Sequence, residues 1–498
     1  MGLRDKIISA VAKRAPRTKC VSAQSGALFR NGTLRIEVDA RVDKVDKPSV
    51  AELSVFLRDQ EFSAPLVVGE ESSYVFEFAV FAGRPPVREI GVRFKQRAVS
   101  MRSSFKGARE EALVELNQGE SAGSASLVIE ENLHKAQIDL RWKLSLDSTG
   151  PTAPPDFDVT PRFLARHAQL GSREDARTAN RSAFEQLVGA RLHNVRIMLI
   201  PGLFTKHYPT YFSANEKWLS ALGLDVTVAP LNTEQTCAFN ANHLHDLLQD
   251  VPSEYRVLFI AHSKGVNDVT ELLRTFPDAE ARCFGCIFLQ GPVHGTFVSD
   301  WVQDNKLISS IAHSVTEQFG GTEESYKDLS FKAGLARRDY FLSEVAQRWL
   351  SRTVCVASYG SFRAAEMGKS DTVLAYVSMK TTASAILDST GFCSDGLVAP
   401  NDARLPHTDL VYLDDLFHSG PGFKIPGTFI LKQRVNFSVL FLKLDQCHAK
   451  NANIYETSDC SVPARFTILA TLRRGPSYLD TSLFVHTVSS SLASRTPA

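Results

Sequence analysis

The sequence predicts an α/β fold with a mostly parallel sheet and helices on both faces, preceded by a sandwich-like all-β domain. Two patterns support this prediction. Between residues 25 and 146, apolar and polar residues alternate along short segments, which is typical of half-buried antiparallel strands. From residue 196 onward, short apolar runs alternate with helical segments, which is the pattern of βαβ units.

The composition of the 498 residues is that of a globular protein and excludes several other classes. Hydrophobic residues make up 44% and charged residues 22%, which excludes a disordered, collagenous or coiled-coil chain. The 56 basic and 55 acidic residues give a net charge of +1, so the charge does not favour nucleic acid as a partner. No apolar run approaches the roughly 18 residues of a membrane helix, and no secretory signal is recognisable. We therefore expect a soluble intracellular protein, cytoplasmic or organellar, without a nucleic-acid partner.

The eight cysteines are too sparse for a disulfide framework. Cys283 and Cys286 form an isolated C-x-x-C inside an apolar run, without a second pair or histidines at zinc spacing. We interpret them as core thiols and expect no metal site.

The basic segment 1–24 allows three interpretations. Leu3, Ile7, Ile8 and Val11 recur at helical spacing among six basic side chains, and only one acidic residue occurs before position 37. This pattern fits an organelle transit peptide, a basic helix in peripheral contact with a membrane, or a frayed helix. The sequence does not decide among them.

The alternation in residues 25–146 predicts about seven short strands. It is clearest in segments 33–43 and 136–146, and the others are expected at 53–57, 74–81, 90–94, 112–116 and 127–130. Asp39, Asp43 and Asp46 suggest a calcium-binding lipid module of the C2 type or, in the interpretation that we favour, an ordinary strand surface. This domain carries no recognisable chemistry of its own.

Residues 147–161 are rich in Pro, Ser, Thr and Asp and are predicted to form a linker. The catalytic domain is expected at 162–423, beginning with a helical stretch over 162–192. Its sheet is predicted from apolar segments at 196–203, 225–231, 255–261, 282–290, 352–359 and 409–413.

The pentapeptide Ala261-His262-Ser263-Lys264-Gly265 lies between a predicted strand and a predicted helix. A serine on such a sharp strand–turn–helix connection needs small neighbours two residues away, and Ala261 and Gly265 satisfy that need. The N-terminus of the following helix directs N–H groups towards a developing oxyanion. This predicts that Ser263 is a nucleophile, although a serine helix cap would show the same short motif.

An acid and a histidine are expected after this serine, in that order. Asp395 lies in a turn at 394–398, and His418 follows the predicted strand 409–413. Asp395 is predicted to orient the imidazole of His418, which would accept the proton of Ser263. Alternatives for these two roles also occur in the sequence, namely Asp402, Asp414, Asp415, His407 and His294. His262 is expected to point away from the serine.

An earlier loop, Pro201-Gly202-Leu203-Phe204, closes the first predicted strand of the sheet. Gly202 allows the backbone to approach, and Leu203 and Phe204 present N–H groups that are candidate oxyanion donors.

The motifs IPGLF, AHSKG, LQGPVHGTFVSDW, SDGLVAP and LDDLFHSGPG, in this order, resemble those of the α/β-hydrolase lipases and esterases. The closest similarity is to bacterial triacylglycerol lipases, over residues 190–423. The resemblance implies ester hydrolysis through an acyl-enzyme, without cofactor, by Ser263, Asp395 and His418. It also implies oxyanion donation by the backbone N–H groups of Leu203 and Lys264. The chain departs from the family in having Pro201-Gly202 where many lipases have His-Gly.

Two further segments are less informative. Residues 292–350 form a lid-like insertion in which Trp301, Ile308 and Ile311 would line an acyl site or belong to a helix core. The tail 424–498 has β-like runs and no functional interpretation. The expected substrate is a small-molecule ester or lipid. An acyltransferase with the same triad, and a non-catalytic lipid-binding or scaffold protein, remain alternatives.

Overall fold

The computed structural model describes residues 28–43, 49–84, 87–98, 108–116, 121–131, 134–151, 157–169, 192, 194–203, 210–304, 324–360, 372–414 and 416–418. The basic segment 1–24, the tail 424–498 and most of the predicted helical stretch 162–192 lie outside these residues. The five cysteines within the described ranges are all free thiols.

The N-terminal domain is a sandwich of two antiparallel sheets, each with four strands in the part that the structure describes. The strands are Arg30–Val42 (β1), Ser49–Leu57 (β2), Gln60–Leu66 (β3), Glu71–Phe81 (β4), Glu89–Ala98 (β5), Ala108–Glu115 (β6), Ala122–Glu131 (β7) and His134–Leu146 (β8). One sheet has the order β4-β1-β8-β7 and the other β3-β2-β5-β6. The apolar residues of the alternation point inward, as in β1, where Leu34, Ile36 and Val38 are buried.

The sequence analysis missed β3. It pairs antiparallel with β2 through a tight turn at Arg58 and Asp59, and Arg58 has a positive φ of 51°. Pro65 argues against a strand in the interior of a sheet, but β3 is an edge strand, where a missing N–H is tolerated.

Of the three aspartates that suggested a calcium module, Asp39 and Asp43 are among the described residues. Asp39 lies on the outer face of β1, accepts a hydrogen bond from Ser73 at 2.7 Å and pairs with Arg141 at 2.9 Å. The hydrogen bond from Ser73 lowers the pKa of Asp39. Asp46 lies outside the described residues. Among the residues that are described, no group of three acidic, histidine or cysteine side chains could hold a metal ion.

The second sheet is parallel and contains seven strands within the described ranges. They are Phe157–Asp158 (β9), Val195–Ile200 (β10), Asp225–Val228 (β11), Arg256–His262 (β12), Cys283–Leu289 (β13), Thr353–Tyr359 (β14) and Asp409–Asp414 (β15). Their order is β11-β10-β12-β13-β14-β15-β9. The short strand β9 is a correction to the predicted linker 147–161, because Phe157 and Asp158 pair with Asp409 and Leu410 at the sheet edge.

The described helices of this α/β domain are Thr160–Gln169 (α1), Ser213–Ala221 (α2), Cys237–Gln249 (α3), Lys264–Thr275 (α4), Pro277–Arg282 (α5), Phe297–Asp304 (α6), Glu324–Lys327 (α7), Phe331–Phe341 (α8), Glu344–Leu350 (α9) and Thr372–Thr390 (α10). A short 3₁₀-helix spans Pro400–Ala403. Two separate apolar clusters pack against the sheet. Cys283 and Cys286 are completely buried in the first cluster, in agreement with their interpretation as core thiols.

The predicted fold class is confirmed: the chain has a parallel α/β sheet with helices, preceded by an antiparallel β-sandwich. No helix in the described ranges is both long enough and apolar enough to cross a membrane.

An apolar cluster connects the sandwich to the α/β domain. Phe29 and Phe81 of the sandwich pack in it with Ile386 and Phe392 of the α/β domain. Gly391 lies beside this cluster with a φ of +77°, and a Cβ on it would lie 2.4 Å from the ring of Phe62. Glycine is therefore required here for backbone conformation and for space.

We expect Gly391→Ala to destabilise the protein more than Gly223→Ala. Both positions have a left-handed backbone, with φ of +77° and +81°, but nothing lies within 4 Å of a Cβ on Gly223. Each alanine costs about 1 kcal/mol of backbone strain, and Gly391→Ala costs a further 1–3 kcal/mol or so from overpacking. The free energy of unfolding in urea measures the difference. Equal losses in the two variants would show that the Phe62 contact is easily relieved.

Candidate active site

Ser263 lies between β12 and α4 in a backbone conformation that few non-glycine residues adopt, with φ of 55° and ψ of −129°. Its N–H donates to the carbonyl of Leu289 at 3.0 Å, which fixes the turn to the neighbouring strand β13. A Cβ on Gly265 would lie 2.6 Å from the carbonyl oxygens of Ile200 and Pro201. The small residue at this position is therefore needed for close packing between the turn and the end of β10.

His418 follows β15 and reaches the serine. Its Nε2 lies 2.8 Å from Ser263 Oγ, and its ring is almost completely buried. The backbone N–H of His418 donates to the carbonyl of Asp395 at 2.9 Å. The histidine is thus held by its main chain as well as by its ring.

Asp395 completes a continuous chain of hydrogen bonds. Its Oδ2 lies 2.9 Å from His418 Nδ1, and its Oδ1 accepts the N–H groups of Leu397 and Val398 at 2.9 and 2.8 Å. A carboxylate only accepts hydrogen bonds, so the proton of the neutral imidazole is on Nδ1 and Nε2 is free to accept from the Ser263 hydroxyl.

The segment that connects β14 to Asp395 contains a helix that the sequence analysis did not predict. This helix is α10. The N–H of Gly360, directly after β14, donates to Ser394 at 2.9 Å, which returns the chain to the carboxyl end of that strand. Asp395 therefore lies close to the carboxyl end of β14.

The alternative residues lie elsewhere or have other partners. His294 is buried, lies 2.7 Å from the Arg404 carbonyl through Nε2, and packs against the rings of Phe29 and Phe341. Asp402 is buried in the 3₁₀-helix, and its carbonyl accepts the N–H of His294. His407 precedes β15, Asp414 is exposed at its end, and Asp415 lies outside the described residues.

The two backbone groups expected to bind an oxyanion flank the serine. A Cβ on Gly202 would lie 2.7 Å from Ser263 Cβ, so the loop that carries Leu203 is packed against the nucleophile. Lys264 is the first residue of α4. In the described part of the chain, neither the Leu203 nor the Lys264 N–H donates a hydrogen bond, and Phe204 lies outside that part.

The side chain of Lys264 has a second role that the sequence analysis missed. It is completely buried and pairs with Asp268 Oδ1 at 2.6 Å, one turn further along α4. Asn240 of α3 donates to the other oxygen of Asp268 at 3.0 Å. Burial lowers the pKa of Lys264, but the attraction of Asp268, together with smaller contributions from Cys237 and Asp328, outweighs the burial and raises the pKa. This pair anchors the first turn of the helix behind the serine.

His262 was expected to point away from the serine and does so, but it connects two loops of the site. Its Nδ1 is hydrogen-bonded to the hydroxyl of Tyr211, which accepts the N–H of Gly202 at 3.1 Å. Its Nε2 lies 2.8 Å from the carbonyl of His418 and 3.1 Å from Gln290 Oε1. Because carbonyl oxygens only accept, His262 donates from Nε2, and the Tyr211 hydroxyl donates to Nδ1. We call residues 201–203 the oxyanion loop, after their expected role; this loop and the loop that carries His418 are therefore joined through His262.

Gln290 also holds the loop that carries His418. Its side-chain NH₂ donates to Ser358 Oγ at 2.5 Å and to the Phe417 carbonyl at 3.1 Å. The residue has a positive φ of 52° directly after β13. Side-chain-to-backbone contacts of this kind join residues far apart in sequence, and no local motif reveals them.

The lid-like insertion 292–350 is only partly described, and its C-terminal part belongs to the core. Trp349 is completely buried, packs against Phe288 of β13, and donates a hydrogen bond to Tyr340 at 2.9 Å. Residues 331–350 form two helices, α8 and α9, because Ser343 caps the second helix by accepting the N–H of Ala346 at 3.2 Å. Trp301 is half-buried on α6, and Ile308 and Ile311 lie outside the described residues.

No protein-family model matches the chain, and no curated protein matches it significantly. Among solved structures, a metagenomic carboxyl esterase is 19% identical, with a TM-score of 0.41 over 51% of this chain and 76% of the esterase. A Bacillus licheniformis lipase in its mature form is 18% identical, with a TM-score of 0.38 over 50% of this chain and 91% of the lipase. A pair of calcium-bound C2 domains from an extended synaptotagmin is 14% identical, with a TM-score of 0.19 over 29% of this chain and 53% of theirs.

We expect Tyr211→Phe to destabilise the protein by about 1–3 kcal/mol, because Gly202 and His262 each lose a buried hydrogen-bond partner. Tyr255→Phe is the matched control, because the Tyr255 hydroxyl makes no hydrogen bond with another described residue. The free energy of unfolding in urea measures both losses. A Tyr211 variant no less stable than the Tyr255 variant would contradict the connection through His262.

His294 should make the stability depend on pH. Burial lowers its pKa to about 4, whereas the unfolded chain binds this proton near pH 6.5. Between these values the unfolded state holds more protons, so the free energy of unfolding falls as the pH falls from 6.5 to 4, by roughly 3 kcal/mol.

His294→Gln keeps an N–H donor for the Arg404 carbonyl but does not titrate. We therefore expect a shallower decrease in the variant, measured by urea unfolding at half-unit intervals from pH 4 to 7.5. Parallel curves for the two proteins would exclude His294 as the titrating group.

Proposed function

We propose that the protein is a serine hydrolase that cleaves carboxylic esters through Ser263, His418 and Asp395. The observation that carries the proposal is the hydrogen-bond chain from Ser263 Oγ to His418 Nε2, at 2.8 Å, and from His418 Nδ1 to Asp395 Oδ2, at 2.9 Å. The positive φ of Ser263 supports it, because such strain is tolerated where it exposes a functional side chain.

In the proposed first step, Ser263 Oγ attacks the ester carbonyl carbon while His418 Nε2 takes the hydroxyl proton. Asp395 keeps the imidazole in the required tautomer and stabilises the imidazolium. The carbonyl electron pair moves to the oxygen, and the N–H groups of Leu203 and Lys264 are the proposed donors to that oxyanion. The helix dipole of α4 adds positive potential at the same place.

The tetrahedral intermediate then collapses. Its C–O bond to the alcohol breaks, His418 returns the proton to the leaving oxygen, and the acyl group remains on Ser263. Water repeats the sequence with His418 as the base, which releases the acid and restores the serine. An alcohol in place of water would give acyl transfer, so products in the presence of an added alcohol distinguish the two acceptors.

We further propose that the substrate is a lipid or another ester with an apolar acyl group. The segments around the site motifs are apolar, and Phe297 and Val298 of α6 are only partly buried beside the apolar cluster that contains Phe29. Chromogenic esters with acyl chains of increasing length test this preference directly.

The central test is labelling with a fluorophosphonate probe, read by intact mass. Wild-type protein should form one adduct, and Ser263→Ala should form none. His418→Ala should react about 100- to 10,000-fold more slowly, since a general base contributes that much.

The matched control is His245→Ala. His245 forms another histidine–aspartate pair, with its Nε2 2.8 Å from Asp278, away from Ser263 on helix α3. Its loss should leave labelling unchanged. Absence of an adduct on folded wild-type protein at neutral pH would refute the proposed nucleophile.

A further inference from the structure

The β-sandwich contacts the segment that carries Asp395, residues 391–404, which we call the acid segment. The first contact is a piece of antiparallel pairing with the β2–β3 turn. The N–H of Cys393 donates to the Asp59 carbonyl at 2.7 Å, the N–H of Glu61 donates to the Gly391 carbonyl at 3.1 Å, and Gln60 pairs with Phe392. Asp395 follows only two residues after Cys393.

The second contact is made by Arg84 of the sandwich. Its guanidinium pairs with Asp59 at 3.2 Å and donates to Asn401 Oδ1 at 3.2 Å. It also lies over the ring of Tyr412 in β15, 4.2 Å from the centroid. The Arg84 and Asp59 side chains are only 6% and 2% exposed, so this is a buried ion pair that extends across the domain boundary.

A third contact runs in the opposite direction. Arg404 of the acid segment is completely buried, donates to the carbonyl of Ala82 in the sandwich at 3.0 Å, and lies over the ring of Phe29 at 4.3 Å. Asn401 also accepts a hydrogen bond from Arg404 at 3.4 Å. The acid segment is therefore fixed to the sandwich at 391–393 and again at 401–404, with Asp395 between the two places.

We propose that the β-sandwich is a structural part of the active site, and that Arg84 and Asp59 are positioning residues for Asp395. This inference rests on the proposed role of Asp395. The carbonyl of Asp395 accepts the backbone N–H of His418, and its carboxylate accepts His418 Nδ1, so displacement of the acid segment disturbs the histidine twice.

The chemistry of the buried pair favours this role over a purely stabilising one. A buried ion pair adds little net stability compared with apolar side chains, because both charges lose their hydration. A guanidinium holds several N–H donors in one plane and can serve two acceptors in a set geometry. Arg84 uses this property to fix Asp59 and Asn401 relative to each other.

We expect Arg84→Met to lower kcat/KM for a p-nitrophenyl ester about 100-fold, the loss that accompanies a displacement of about 1 Å at a reacting group. The descending acid limb of the pH–rate profile should move to lower pH, since a poorly held carboxylate stabilises the imidazolium less.

Arg93→Met is the matched control. Arg93 also forms an ion pair, with the side chain of Glu61 at 2.8 Å, and lies over the ring of Phe56 at 4.9 Å. Its partners belong to the sandwich, and Glu61 contacts the acid segment through its backbone N–H, which the substitution leaves in place. The control should keep the wild-type kcat/KM and pH profile.

A double-mutant cycle with Asp395→Asn separates positioning from a general loss of structure. If Arg84 acts through the Asp395 carboxylate, adding Arg84→Met to Asp395→Asn should lower kcat/KM less than twofold further. An equal 100-fold loss in both backgrounds would overturn the inference, and so would full activity of Arg84→Met.

Arg84→Lys provides a second test in case Arg84→Met does not fold. It keeps a charge beside Asp59 but not the planar pair of donors, so it should remain folded and still lose activity. Wild-type kcat/KM in Arg84→Lys would overturn the geometric argument.

A second readout separates this inference from the proposed function. The proton shared by His418 Nδ1 and Asp395 should give a low-field proton NMR resonance in the wild type that Arg84→Met weakens and Arg93→Met preserves. If the wild type shows the resonance but cleaves no ester, the proposed ester hydrolysis is refuted. The resonance then still tests whether Arg84 positions Asp395. An unchanged resonance in Arg84→Met would then overturn the inference.

Discussion

The strained backbone at Ser263 is the constraint on which the remaining site geometry depends. A non-glycine residue at φ of 55° costs energy, and the chain keeps it there by surrounding the turn with fixed structure. Strand β12 is paired on both sides, with β10 and β13, and the Ser263 N–H is bound to Leu289. The close approach of β10 then requires Gly265, and the approach of the oxyanion loop requires Gly202. The need for glycine at each of these two positions is thus explained by an atom that a Cβ would contact.

The buried polar side chains near Ser263 form hydrogen bonds that connect separate loops of the site. His262 joins the Gly202 loop to the His418 carbonyl, and Gln290 holds the residues just before His418. These groups are buried, so each lost hydrogen bond leaves a polar atom without water to replace its partner. The site is therefore organised by a network whose members do not contact the substrate in the proposed mechanism.

The sequence indicated the sheet and the three side chains because their signals are local. The apolar strands of the α/β domain and the pentapeptide around Ser263 depend on neighbours along the chain, and Asp395 and His418 follow from their order. Features set by distant contacts were missed. Strand β3 contains a proline that only an edge position tolerates, β9 is two residues long, and the partners of His262 are 51 and 156 residues away.

The connection between β14 and β15 explains why the contacts with the sandwich matter for the candidate site. The serine lies directly after β12 and the histidine lies on the loop that follows β15, so the sheet itself fixes the start of each loop. Asp395 instead follows helix α10, and neither neighbouring segment of the chain is a strand of the parallel sheet. A carboxylate that is 1% exposed needs a rigid set of hydrogen-bond donors, because a buried polar group that lacks partners costs stability. The sandwich supplies fixed attachment points on both sides of that turn, through Asp59, Arg84 and the carbonyl of Ala82. In the proposed mechanism, a domain without recognisable chemistry in its sequence therefore takes part through the residues that it holds in place.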